Sequence, residues 1–177
     1  MFFADTRSNL VRALIWQYRT PTPAFTFPNE RISVSFGATR DHFFINVLED
    51  VKNRIYLVKP GAETWERTLL PHLPQFGTVG ISAVDEEASN DFFMTVSDYL
   101  TPTSLYLGTI GGGEPQLLNQ LPAYFDASDF QVAQHFATSK DGTRVPYFLV
   151  SARDLTLDGT NPTLLYGYGG FEISMLP

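Results

Sequence analysis

The sequence predicts a mostly-β chain that holds a partial β-propeller of about two blades. Three observations carry that reading. From about Ile32 onward the chain is a series of short apolar runs divided by turn residues, the mark of successive strands. Its 13 glycines and 12 prolines favour turns over long helices, and a 14% aromatic content suits half-buried strands. An internal echo then groups the strands into repeats.

The first element is the exception. Leu10, Val11, Leu14, Ile15 and Tyr18 fall on one helical face, Ser8 or Asn9 is available as a cap, and Pro21 and Pro23 stop the run. Nothing else in the chain matches this stretch, and residues 1–30 stay unassigned. The echo begins after it. Phe43, Phe44 and Val47 recur as Phe92, Phe93 and Val96. Ile55-Tyr56-Leu57 recurs as Leu105-Tyr106-Leu107, and Leu69-Leu70 recurs as Leu117-Leu118, at nearly the same offset. Each copy therefore holds two strands joined by a short connection and a third after a glycine turn, at Gly61 in one copy and Gly111 to Gly113 in the other. Residues 78–83 add a strand before the second copy. Four short antiparallel strands in each ~40–50 residues make a propeller blade, because one small sheet cannot bury both faces alone. Two similar hairpins in a sandwich are the alternative. A closed ring needs at least about four blades, so residues 31–125 are expected to be part of a larger ring.

Past Pro122 the pattern changes, which puts a domain boundary near residues 120–128. Residues 131–139 and 143–151 read as strands joined by Lys140-Asp141-Gly142, where Asp-Gly supplies the positive φ of a tight hairpin. Val145, Tyr147 and Leu149 face one side of the second run, with Phe148 and Val150 on the other. Pro146 removes a ladder donor and assigns this strand to a sheet edge. Asp158-Gly159 makes a further turn, and residues 163–166, Thr-Leu-Leu-Tyr, read as a short apolar strand entering a glycine loop.

Composition limits the function. With 44% hydrophobic and 18% charged residues the chain can bury a core. A net charge of −7 and the lack of any Lys/Arg cluster speak against nucleic acid or an anionic membrane as partner. No cysteine is present, which removes thiol chemistry, disulfides and zinc ribbons and suits a reducing compartment. The expected location is the cytoplasm, with the periplasm open for a longer parent enzyme. The N-terminus lacks the basic start and apolar run of a signal peptide, and no stretch approaches the ~20 apolar residues of a membrane span. No metal-ligand spacing occurs.

The loop Leu165-Tyr166-Gly167-Tyr168-Gly169-Gly170-Phe171 is the most informative segment. A strand running into Gly-x-Gly-Gly is what an α/β-hydrolase uses after its third strand to build half an oxyanion hole. A hydrogen-bond donor there stabilises charge that appears only in the transition state, a contribution of ~3–4 kcal/mol. Taken alone, the motif also fits a plain turn. A phosphate loop lacks its Gly-Lys-Ser/Thr. On the hydrolase reading, residues 126–177 hold the first strands of an α/β-hydrolase domain.

DASDFQVAQHFATSKDGTRVPYF and LDGTNPTLLYGYGGFEIS together resemble the junction between propeller and peptidase domain in the prolyl oligopeptidase family. The likeness is close over about residues 126–174, the repeats upstream suit the family's propeller, and the segment 1–30 does not share it. The resemblance implies a serine endopeptidase that cleaves short peptides after proline and needs no cofactor. It implies that Tyr168 supplies the oxyanion hydroxyl, that Phe171 walls the pocket for the substrate proline, and that Gly167, Gly169 and Gly170 let both side chains project. Gly-Gly-Phe favours the prolyl type over the basic-residue-specific oligopeptidases, which tend to carry Gly-Ser-Tyr-Gly. Glu172 departs from the asparagine of the best-known members.

In such enzymes Ser, Asp/Glu and His follow this loop in that order. No Gly-x-Ser-x-Gly occurs in the 177 residues, and no histidine follows Gly170. His42 at a strand start, His72 in a turn and His135 in a hairpin strand read as structural or exposed. The carboxylates of Glu49-Asp50 and Asp85-Glu86-Glu87 read as solvated turns. The expectation is therefore an internal piece of the enzyme, inactive alone and requiring the remainder of the peptidase domain. A propeller that binds peptides or proteins without catalysis is the competing class.

Overall fold

The computed structural model describes residues 35–60, 65–171 and 173–177, and the expected helix at residues 10–18 and the turn at Gly61 lie outside them. Ten strands and no helix occur among the described residues. Strands β1 (Ser35–Ala38), β2 (Phe43–Glu49), β3 (Lys52–Pro60) and β4 (Trp65–Leu69) form one antiparallel sheet in sequence order. Strands β5 (Thr78–Ala83), β6 (Asp91–Ser97), β7 (Ser104–Thr109) and β8 (Gln116–Gln120) form a second with the same order. Strands β9 (Phe130–Thr138) and β10 (Arg144–Ala152) pair as a hairpin.

The echo in the sequence is thus an echo in space. Phe43 stands opposite Val58 in the first sheet, and Phe92, its counterpart in the next repeat, stands opposite Gly108 in the second. Strand β5 opens the second sheet as β1 opens the first, and β1 is the one strand the apolar pattern did not announce. Its sequence, Ser-Phe-Gly-Ala, is too short and too mixed to show alternation.

The two sheets pack face to face. Phe44, Ile55, Leu57 and Leu70 of the first meet Val79, Phe92, Met94 and Val96 of the second in one buried cluster. Strand β6 alternates, burying Phe92, Met94 and Val96 on a single face. Strand β2 buries both faces, including Phe43 and Val47, which is why it reads as a nearly unbroken apolar run. Each sheet also lays a phenylalanine across a glycine on the adjacent strand. A Cβ on Gly108 would sit 2.4 Å from the Phe92 ring, and one on Gly37 would sit 2.7 Å from Phe44. Only glycine admits those rings.

A polar bridge crosses this core. Asn53 Nδ2 donates to Asn46 Oδ1 at 2.8 Å, Asn46 Nδ2 donates to the Val79 carbonyl at 2.9 Å, and the Val79 amide donates back to Asn53 Oδ1 at 3.0 Å. Both backbone groups of Val79 are therefore satisfied by the other sheet. A second seam joins the ends of the sheets. The Arg40 amide donates to the Ser89 carbonyl, the Asp41 amide to Asn90 Oδ1, and Asn90 Nδ2 to the Asp41 carboxylate. The spacing of these partners matches that of Phe43 and Phe92, so equivalent positions of the two repeats bond to each other. Arg40, hydrogen-bonded to Asp41, and Asn90 together hold that carboxyl below its ordinary range.

Residues 163–166 form no strand, contrary to the sequence expectation. No strand among the described residues lies alongside to pair with them, and Leu164 and Leu165 stand almost wholly in solvent. The hairpin turns as expected: Gly142 and Gly159 both have positive φ, 85° and 84°. Strand β10 has one neighbour only among the described residues, so Pro146 lies on a strand with an open edge.

Two predictions concern this framework. Replacing Asn53 by Ala removes one partner from Asn46 and one from the Val79 amide. Orphaned groups in a core cost ~1–3 kcal/mol each, so Asn53→Ala is expected to lower the urea midpoint with the slope unchanged. A midpoint equal to the parent's would show that the bridge is not structural.

The second concerns the hairpin turn. Asp141 accepts hydrogen bonds from the Ser139 hydroxyl and, at 3.0 Å, from the Thr143 amide, and its carboxyl is lowered to about 2, mainly by Ser139. A folded-state value below the unfolded one stabilises the turn above the unfolded pKa and is lost as pH falls toward about 2. Carboxyl carbon shifts followed by NMR should titrate at that low midpoint. A midpoint at the ordinary aspartate value would refute the turn geometry.

Candidate active site

The glycine loop is placed by the hairpin, and the hairpin is placed by the ends of the two sheets. The Phe148 ring of β10 meets Phe76 edge-on at 5.7 Å and lies 6.3 Å from Tyr99. Gln134 of β9 donates from Nε2 to the Asp50 carbonyl in the β2–β3 turn. Lys52 Nζ lies 5.9 Å from the centre of the Phe76 ring, which links that turn to the same aromatic group.

Beyond β10 the chain makes a tight polar turn. The Asp158 carboxylate accepts from the amide and hydroxyl of Thr160, which lowers its pKa, and Asn161 Nδ2 donates to the Thr156 carbonyl at 2.7 Å. The loop then runs out from this turn. Past it, the Thr78 hydroxyl at the start of β5 donates to the Pro177 carbonyl at 2.9 Å. The loop is thus anchored on the hairpin side and on the second sheet.

Within the loop, Tyr168 is half exposed and Phe171 is 90% exposed. The Tyr168 ring folds back over Gly170, where a Cβ would come within 3.3 Å of Cζ and Oη. The Tyr168 hydroxyl has no hydrogen-bond partner among the described residues. A Cβ on Gly167 or Gly169 would meet nothing within 4 Å. Positive φ falls at Phe171 itself, at 54°, and the Gly170 carbonyl accepts from the Ile173 amide at 3.2 Å to close the turn. The structure therefore brings Tyr168 and Gly170 together and leaves Phe171 pointing into solvent. A cleft of about 250 Å³ between the β6–β7 turn and the chain after β8, lined by Tyr99, Pro102, Leu121 and Tyr124 among others, contains none of the loop residues.

The histidines keep away from this loop's hydrogen bonding. His135 is exposed on β9 with its ring 5.5 Å from that of Tyr147, and His72 is exposed in a turn with φ 62°. His42 precedes β2, with a buried Nδ1 that has no hydrogen-bond partner among the described residues. The Asp85 carboxylate accepts from the amides of Ala88 and Glu87, which lowers its pKa and fixes it as a turn-former. No cluster able to hold a metal ion occurs among the described residues, and no helix there is long and apolar enough to cross a membrane. The Asn46–Asn53–Val79 bridge and the Phe76–Phe148–Tyr99 contact escaped the sequence reading. An asparagine inside the apolar run Phe-Phe-Ile-Asn-Val-Leu was the available signal for the first.

No protein-family profile matches the chain. An uncharacterized peptidase of Sinorhizobium fredii is 39% identical over 151 residues, which are 85% of this chain and 20% of that protein. A prolyl endopeptidase of Elizabethkingia miricola is 30% identical over 136 residues, 77% of this chain and 19% of that protein. Among solved structures, a post-proline cleaving enzyme from Rickettsia typhi superposes with a TM-score of 0.65 at 27% identity, over 84% of this chain and 21% of that one. The relatives and the solved structure that the chain resembles are peptidases. More narrowly, the chain belongs to the prolyl oligopeptidase family. It spans about a fifth of the length of the relatives it matches.

Proposed function

We propose that this chain is part of a serine endopeptidase that hydrolyses short peptides after proline. The observation that carries the proposal is the loop. Tyr168 offers a hydroxyl with no partner among the described residues, beside a glycine-lined backbone, and Phe171 follows with an exposed aromatic ring. In the proposed reaction a serine hydroxyl passes its proton to the histidine, both from the remainder of the peptidase domain, as its oxygen attacks the carbonyl carbon of the proline residue. The carbonyl oxygen gains negative charge, and the Tyr168 hydroxyl donates to it. Phe171 lies against the proline ring and fixes which bond is presented. Gly167, Gly169 and Gly170 keep side chains out of the substrate's path. The names of the relatives, prolyl endopeptidase and post-proline cleaving enzyme, support the specificity.

Residues 35–120 supply two blades of a propeller that restricts access to short peptides, and residues 126–177 begin an α/β-hydrolase domain. The nucleophile, acid and histidine come from the remainder of the peptidase domain, and no cofactor or metal takes part. The cytoplasm is the proposed compartment, which a cysteine-free composition suits.

The isolated chain is expected to release nothing from a Gly-Pro-linked fluorogenic peptide. Turnover that persists through purification and stops with a serine-directed phosphonate would overturn its assignment as a triad-less part. In a longer protein that contains this segment, Tyr168→Phe should lower turnover ~100–1000-fold, the usual effect of losing one oxyanion donor. The melting temperature should not move, since the hydroxyl holds nothing in the described fold. Full activity in that variant would assign the oxyanion to other donors.

A further inference from the structure

The three glycines of the loop differ in what a side chain on them would meet. A Cβ on Gly167 or Gly169 would meet nothing within 4 Å, whereas one on Gly170 would lie 3.3 Å from both Cζ and Oη of Tyr168 and 3.5 Å from Cε1. These atoms are the hydroxyl end of the ring, so the phenol tip rests against the bare Cα of Gly170. The backbone does not ask for glycine here, since positive φ falls at Phe171 and not at Gly170. The ring does. The surface beneath it is itself held: the Gly170 carbonyl accepts from the Ile173 amide at 3.2 Å, and Phe171, inside that turn, takes a φ of 54°, uncommon for a bulky residue. Strain of this kind persists where neighbouring contacts fix the backbone, and it collects at active sites and ligand clamps. The Tyr168 hydroxyl has no hydrogen-bond partner among the described residues, so packing sets where it stands.

We propose that Gly170 is a positioning residue for the Tyr168 hydroxyl: the space left by its missing side chain seats the phenol tip, and the seat aims the donor. This role rests on the reading of Tyr168 as the oxyanion donor and names what sets that donor's place. Gly170 acts through Tyr168. A methyl group at Gly170 points at the ring, and the phenol tip must give way by a few tenths of an ångström to admit it. Oxyanion donors work at ~2.7–3.1 Å from the developing charge. A misplacement of ~1 Å costs ~100-fold in rate, so this smaller shift is expected to cost roughly tenfold. That is less than the loss of the hydroxyl itself, which Tyr168→Phe removes.

Two measurements test the seat. In NOESY spectra of the whole 177-residue chain with labelled tyrosine, cross-peaks are expected between the Tyr168 Hε protons and the Gly170 Hα protons. Their absence would overturn the proposal without any assay of activity. In the longer protein that contains this segment, Gly170→Ala is expected to lower kcat roughly tenfold. KM should stay within about twofold, the pattern of an interaction made only in the transition state. In a Tyr168→Phe background the same substitution should change kcat by less than about twofold, because the hydroxyl it displaces is gone. Full kcat in Gly170→Ala beside an impaired Tyr168→Phe would sink the role of Gly170 and leave the oxyanion reading standing. So would a raised KM with kcat intact, or an equal loss in both backgrounds, since the methyl would then act on the substrate or the fold. Full kcat in Tyr168→Phe would instead remove the reading on which the role rests.

Discussion

A four-stranded sheet has two faces and cannot cover either by itself. Stacking is the constraint on which the rest of this structure depends. Apolar burial among Phe44, Ile55, Phe92 and Met94 brings the faces together, but that attraction is non-directional. The amide bridge supplies direction. Asn46 and Asn53 present donors and acceptors that fit the carbonyl and amide of Val79 at one relative position of the sheets. Any slide leaves buried polar groups unpaired, at a cost comparable to several methylene groups. The bridge thus contributes less to attraction than to uniqueness.

The same seam explains how repeats become architecture. Arg40 and Asp41 bond to Ser89 and Asn90, their own equivalents one repeat later. A contact between equivalent positions is what a rotation about a common axis produces, whereas a sandwich of two opposed hairpins would bring unlike positions together. The sequence left both arrangements open. Bonding between positions one repeat apart favours the rotational one.

How much was legible follows from where the determinants lie. The strand series, the repeat and the Asp-Gly turns were readable because each is local: alternation, a recurring word, a residue that tolerates positive φ. The β5–β8 sheet emerged almost strand for strand. Strand β1 was missed because so short a run cannot establish a period. The strand expected at residues 163–166 is the instructive failure. Its local pattern is sound, but strand pairing is a property of two segments, and no second segment among the described residues lies beside it. For the site, the residues were legible only through family resemblance. Tyr168 lying over Gly170 and the exposed Phe171 are facts of backbone path that no spacing encodes. The contact of Phe148 with Phe76 and Tyr99 joins three separate parts of the chain, out of reach of any periodicity.

The junction between sheets and hairpin shows where local preference yields to long-range contact. The β2–β3 connection is a tight turn with positive φ at both Asp50 and Val51, 49° and 63°. Hairpin twist demands that geometry, and Asn-Gly is the usual way to supply it. Asp tolerates it, but a β-branched valine there is strained by ~1–2 kcal/mol. Strain of that size persists where surrounding contacts over-determine the backbone. They do so here: the Asp50 carbonyl accepts from Gln134 of β9, and Lys52, next after Val51, lies over the Phe76 ring that holds Phe148 of β10. A relaxed turn would swing the Asp50 carbonyl away from Gln134 and loosen the hairpin. Because the loop with Tyr168 and Phe171 hangs from that hairpin, the geometry of a surface turn far upstream bears on where the Tyr168 hydroxyl stands.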